Sequence, residues 1–155
     1  MKLLKDLLYG VPLLERAGST HLAISKICFD SREVRKDSLF VAVRGTQVDG
    51  HQYIEQAINQ GAAAIVCEEI PENQKESVSY IGVKDSSLAL ALIAANFYDN
   101  PSEKLQLIGI TGTNGKTTTA TLLYDLFTLL GSRSGLLSTV KVCVAKEIHP
   151  ATHTT

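Results

Sequence analysis

The chain has 155 residues, 45% hydrophobic and 20% charged, with 15 Lys+Arg against 16 Asp+Glu for a formal net charge of −1. That is the composition of a soluble globular protein, and it offers no positive field with which to hold nucleic acid. The longest apolar run, residues 88–95, is far short of the roughly 20 residues a membrane-spanning helix needs, so no membrane partner is expected.

Lys5 and Asp6 interrupt the N-terminal leucines before a signal-peptide core can form. Residues 2–8 are expected to make one or two helical turns, stopped by Gly10 and Pro12. Residues 22–29 and 38–44 read as strands, with a polar loop between them. Asp49-Gly50 is a turn signal; Asp49 is placed to cap a helix over residues 51–60, and Gly61 to stop it. Residues 62–67 form a short apolar strand and residues 78–83 another, separated by a polar loop over 71–76. A helix starts at Asp85, Ser86 or Ser87 and runs to about Tyr98. Asp99-Asn100-Pro101-Ser102 ends it, because a residue before proline resists the helical region.

That break divides the chain into units 1–100 and 101–155. The first alternates strands and helices, an α/β pattern just large enough for its own core. In the second, residues 105–110 read as an apolar strand entering a Gly-rich loop. Residues 117–130 then place Ala120, Leu123, Phe127 and Leu130 on one helical stripe, Gly131 stops the helix, and residues 135–145 read as a strand. Strand, loop, helix, strand predicts one crossover unit, the opening of a nucleotide-binding domain. Two or three strands do not complete such a domain, so more chain is expected beyond Thr155.

The loop carries the strongest chemical signal: Gly112, Thr113, Asn114, Gly115, Lys116, Thr117 and Thr118. Phosphates need several donors converging on their oxygens. Gly112 and Gly115 let backbone N–H groups approach, and the following helix aims its amides and dipole at the same anion. Lys116 reaches the β- and γ-phosphates as the catalytic cation. The Thr117 hydroxyl is the expected ligand to Mg²⁺, and Thr118 donates from the first turn. Gly115-Lys116-Thr117 fits the general P-loop pattern, but Ile110 stands where that pattern has its first glycine, so this is a variant loop. A Rossmann dinucleotide site is excluded, because Gly109, Gly112 and Gly115 run G-x-x-G-x-x-G.

TGTNGKTTT after an apolar strand resembles the ATP loop of the Mur ligases, which build the peptide stem of the bacterial cell wall. Their relatives, the folylpolyglutamate synthetases, tend to have GTNGKGS instead. The N-terminal region is similar to the uridine-binding domain of the MurE type. Asp30-Ser31-Arg32 comes first, then Asp37-Ser38-Leu39-Phe40-Val41-Ala42, then Gly45 through Asp49-Gly50-His51, then Gly61-Ala62-Ala63. The tail His153-Thr154-Thr155 is similar to that subfamily's substrate loop.

The resemblance implies a small α/β uridine-binding domain over residues 1–100, followed by the truncated start of a P-loop ATPase domain over 101–155. It implies an ATP-dependent amide ligase that adds the third amino acid, meso-diaminopimelate or L-lysine, to UDP-N-acetylmuramoyl-L-alanyl-D-glutamate through an acyl phosphate. Such an enzyme serves peptidoglycan synthesis, and with it cell shape and division. Its cofactors are ATP and Mg²⁺, its partners are small molecules, and the protein is expected to be a cytoplasmic monomer. Residues 1–155 alone are expected to be inactive. By the same resemblance, Phe29, Ser31, Thr46, Gln47 and Val48 surround the uridine, and Thr154 and Thr155 contact the muramoyl substrate. Thr46 stands where the family often has His, which favours a backbone contact there. The alternatives are a folylpolyglutamate-synthetase-like ligase and a stand-alone nucleotide-binding regulatory module.

The remaining polar residues have plainer readings. On spacing alone, Asp30-Ser31-Arg32 is a polar turn and Asp49-Gly50-His51 a turn with a helix cap. Pro150 separates His149 from His153, against a helical metal pair. Cys28, Cys67 and Cys143 are odd in number and lack a CxxC pair, and they read as reduced core thiols.

Overall fold

The structure is a computed structural model that describes residues 1–45, 48–144 and 147–150. The chain forms two compact units, Met1–Leu105 and Gln106–Thr155.

The first unit opens with β1 (Lys2–Leu3), which leads into a single turn, α1 (Leu4–Leu7). β2 (Leu13–Ala17) follows, then β3 (Ala23–Ile24), β4 (Lys26–Cys28) and β5 (Ser38–Val41). A 3₁₀ turn (Gly50–Tyr53) leads into α2 (Ile54–Asn59), which precedes β6 (Ala62–Cys67). β7 (Ser79–Val83) and α3 (Ser86–Phe97) complete the unit. The main sheet has the order β2-β7-β6-β5-β4; β4 to β7 run parallel and β2 is antiparallel on the edge.

Alternation along the central strands splits the core into two layers. Leu39, Val41, Ala64, Val66, Ile81 and Val83 face α1 and α3, packing with Leu4, Leu7, Ala89 and Ile93. Phe40, Ala42, Ile65, Cys67 and Tyr80 face the other way, onto Ile54 and Ala57 of α2. Burial on both faces explains why β5, β6 and β7 are continuous apolar runs. Asp85 caps α3, its Oδ1 accepting from the Leu88 N–H at 2.8 Å.

Two local expectations are corrected in this unit, and one strand was not expected. Residues 2–8 are not all helical, because Lys2 and Leu3 pair with Ile24 and Ala23. The strand expected over 22–29 breaks at Ser25, whose N–H donates to the Asp37 carbonyl at 2.9 Å; β3 serves β1 while β4 serves β5. β2 went unrecognised because an edge strand with Glu15 and Arg16 exposed has no apolar alternation to read.

In the second unit, α4 (Lys116–Leu129) lies within one residue of the expected helix. β8 (Gly135–Leu137), β9 (Lys141–Val144) and β10 (Glu147–Pro150) form an antiparallel meander. The single strand expected over 135–145 is therefore two strands. Ser138 makes the turn between them, its Oγ accepting from the Lys141 N–H at 3.1 Å. Residues 105–110 are not a strand, and Leu107 and Ile108 are exposed. The crossover unit is thus not formed: a strand needs a paired neighbour, and β8, β9 and β10 pair only among themselves. No residue of α4 is fully buried, although Leu122, Leu126 and Leu129 are apolar.

Gly61 carries the chain from α2 into β6 at φ +102°, and a Cβ there would lie 3.1 Å from the Lys36 Cα. Gly61→Ala is expected to destabilise the chain by about 1–3 kcal/mol, whereas Gln60→Ala, at an exposed position, should stay within about 0.5 kcal/mol. Urea unfolding midpoints of the two variants check this; equal midpoints would contradict it.

Candidate functional site

The first candidate site lies where the parallel strands end. As the chain leaves β4, Asp30 caps a 3₁₀ turn (Ser31–Glu33), its Oδ1 accepting from the Arg32 N–H at 2.9 Å. The Arg32 side chain folds back on the same carboxylate, with Nη2 2.6 Å from Oδ2. Asp30 and Arg32 are thus committed to each other, as the polar-turn reading expects. Ser31 is buried, and its hydroxyl donates to Gln56 Oε1 at 3.2 Å. Phe29 is half exposed beside it.

After β5 the chain turns out and back. The Gly45 N–H donates to the Val48 carbonyl at 3.0 Å, and the Gly50 N–H to the Val43 carbonyl at 2.9 Å. Gly50 allows this close return, because a Cβ there would meet the Val43 oxygen at 2.7 Å. Val48 is exposed at the tip. Thr46 and Gln47 lie outside the described residues, as do Thr154 and Thr155.

Asp49 and His51 hold the base of this loop. Asp49 Oδ1 accepts from the His51 backbone N–H at 3.0 Å and lies 2.6 Å from the ring Nδ1. His51 Nε2 accepts from the Glu68 backbone N–H at 2.9 Å. An accepting Nε2 carries no proton, so the geometry fits the neutral imidazole with its hydrogen on Nδ1. Glu68 Oε1 in turn accepts from the Ser86 N–H at 3.1 Å and the Ser86 hydroxyl at 2.8 Å. Arg44 stands among Asp49, Glu68 and Glu69, at 3.5, 3.7 and 3.3 Å. His51 is therefore an anchor with both ring nitrogens used, in agreement with the turn-and-cap reading.

These contacts set the charges. The backbone N–H and ring of His51, with Arg44 adding less, hold the Asp49 carboxyl below the usual carboxylate range. The Ser86 N–H and hydroxyl, with Arg44, hold Glu68 down in the same way. A cleft of about 600 Å³ opens beside them, lined by Arg44, Glu68, Lys84, Asp85, Ser87 and Leu88. Pro12 and Ala89 complete its lining, so charged side chains there stand beside apolar ones.

Sequence reading missed Gln56, Glu68 and Ser86. The available signal was topological: each lies at or beyond the end of a parallel strand or on the helix that follows. The cysteines take no part. Burial, with a smaller push from Glu15, raises the Cys67 thiol to about 12, and burial also raises Cys28. Cys143 is buried too.

The second candidate site is the glycine loop of the second unit. Gly112 and Gly115 take φ +149° and +79°, and Gly115 is the N-cap of α4 with no side-chain cap. The amides of the first turn are thus not capped by a side chain, as an anion site requires. Lys116 is exposed and reaches back over the loop, donating to the Gly112 carbonyl at 2.6 Å and the Thr113 carbonyl at 3.4 Å. Thr113, Asn114 and Thr118 are exposed and Thr117 is half-buried. The residue types fit a phosphate chain: the first turn of α4 has no side-chain cap, and Lys116 has no carboxylate partner among the described residues. Thr117, in the first turn of α4, is the hydroxyl that would ligate Mg²⁺.

The family model for the Mur ligase family, catalytic domain, matches residues 23–98, inside the first unit. A diaminopimelate ligase of Cytophaga hutchinsonii, UDP-N-acetylmuramoyl-L-alanyl-D-glutamate--2,6-diaminopimelate ligase, is 54% identical over 153 residues, 98% of this chain and 32% of its own length. Residues 23–98 belong to the Mur ligase family. A solved structure of a 2,6-diaminopimelate ligase of the same name matches with a TM-score of 0.73 at 20% identity, over 99% of this chain and 31% of that one; at that identity it speaks for the fold. The Mur ligase MurF of Thermotoga maritima, solved in complex with ADP, matches at 35% identity with a TM-score of 0.53, over 70% of this chain and 24% of that one. The chain spans about a third of the length of the curated relatives it matches. Among the described residues, no helix is long and apolar enough to cross a membrane.

Because Asp49 and Glu68 have folded pKa values below their unfolded ones, their contribution is present above the unfolded carboxylate range. It is lost as pH falls through the folded values. The thermal midpoint is therefore expected to drop below about pH 4, and Asp49→Asn to lie lower at pH 7 with a shallower acid decline. Melting curves from pH 7 to 2.5 test this; parallel curves for the two proteins would contradict it.

Proposed function

We propose that this chain is the uridine-binding and ATP-loop portion of a MurE-type amide ligase of peptidoglycan precursor synthesis. The observation that carries the reading is the 54% identity to a diaminopimelate ligase across 98% of the chain, spanning both candidate sites. In this reading, residues 1–100 bind UDP and residues 101–155 begin the ATPase domain. Phe29, Ser31, Thr46, Gln47 and Val48 take the uridine. Thr154 and Thr155 meet the muramoyl group. The relatives' names favour diaminopimelate over L-lysine as the amino acid added.

A carboxylate is a poor electrophile, so the reaction activates it first. One substrate carboxylate oxygen bonds to the γ-phosphorus of ATP and ADP departs. The amine of the incoming amino acid then attacks the acyl carbon, phosphate leaves and the nitrogen loses a proton. The 112–118 backbone holds the phosphates, and the Lys116 ammonium swings from the loop carbonyls to the γ-phosphoryl oxygens as charge builds there. The Thr117 hydroxyl would be a ligand to Mg²⁺, whose positive charge would further offset that of the phosphates. The enzyme works as a cytoplasmic monomer on small-molecule substrates.

In the complete gene product the two sites should separate kinetically. Ser31→Ala is expected to raise KM for UDP-muramoyl-dipeptide about 3- to 10-fold with kcat nearly unchanged. Lys116→Ala should lower kcat by about 100-fold or more. Steady-state assays of diaminopimelate-dependent ADP release measure both. Unchanged turnover in Lys116→Ala, or a wild-type enzyme that extends folate instead, would overturn the reading.

A further inference from the structure

We propose that Gln56 is a positioning residue that turns the Ser31 hydroxyl into a hydrogen-bond acceptor, and so selects uracil by its N3–H. The inference rests on the uridine reading above and adds the polarity of one contact and the residue that imposes it. A serine hydroxyl has one proton and two lone pairs. Here the proton points at Gln56 Oε1, 3.2 Å away, and an amide oxygen can only accept. What Ser31 has left for a ligand is lone pairs.

Both ends of this hydrogen bond stand on fixed backbone. Ser31 opens the 3₁₀ turn capped by Asp30, and its residue is 8% exposed. Gln56 lies on α2, between Ile54 and Ala57, which are buried against the sheet. Its own carbonyl accepts from the Gln60 N–H at 3.1 Å. The Gln56 side chain therefore reaches the serine from an anchored helix.

The chemistry then names the ligand edge. A uracil ring bonded to ribose through N1 has a single ring donor, N3–H. Cytosine has a lone pair at the same position. Opposed to an oxygen that has already spent its proton, that lone pair is repelled and left without a partner, the situation in which polar sites discriminate best. With Gln56 unable to accept, the serine proton is released to point outward, and cytosine N3 becomes acceptable.

Calorimetric titration of the complete gene product tests this with UDP, CDP and N3-methyl-UDP. The wild-type protein should prefer UDP to both others by about tenfold or more. Gln56→Leu should bring the UDP and CDP constants to within about threefold, while Gln56→Glu, which still accepts, should keep the wild-type ratio. Gln56 is exposed, so neither variant disturbs the core. A wild-type UDP:CDP ratio in Gln56→Leu, or equal binding of UDP and N3-methyl-UDP to the wild type, would overturn the inference and leave the uridine reading standing. No UDP binding by the wild type would overturn the uridine reading itself.

Discussion

A strand buried on both faces can carry polar chemistry only at its ends. β5, β6 and β7 are in that position, with helices packed above and below them. Four parallel strands place their C-terminal ends along one edge, and every polar group of the first candidate site is delivered there. Phe29 and Ser31 leave β4, the 44–51 segment leaves β5, and Glu68 follows β6. The apolar core thus decides where the polar residues meet.

The same edge must hold a loop in shape. It does so with short, charge-assisted contacts. His51 joins Asp49 on its own loop to the backbone of the next strand at Glu68, and Glu68 joins that strand to the start of α3 through Ser86. Arg44 sits among three carboxylates and offsets their mutual repulsion. Exposed ion pairs of this kind contribute little singly. Tied to backbone amides and a half-buried imidazole, they fix the path of the loop that carries Val48.

Much of the first unit was legible in the sequence. The apolar runs of β6 and β7, the Gly61 stop and the Asp85 cap are local signals, and local signals decide those elements. The division of residues 22–29 at Ser25 was not legible, because the chain changes partner there, and partners are set by tertiary pairing. β2 was hidden by its exposed edge. In the second unit, apolar residues 105–110 carry strand propensity, yet propensity without a paired neighbour makes no strand. The site divides in the same way. Ser31 and the glycine loop could be named from motif and resemblance. Gln56 could not, since its role depends on a contact between residues 25 positions apart.

On the proposed reading, the C-terminal edge of the first unit's sheet receives the uridine. Backbone amide shifts of the ¹⁵N-labelled complete gene product, titrated with UDP, address it directly. The largest changes are expected at Phe29, Ser31, Gly45, Val48 and Gln56, with little change among the buried residues of β6. Binding of UDP that leaves those five amides in place and perturbs residues elsewhere would contradict it.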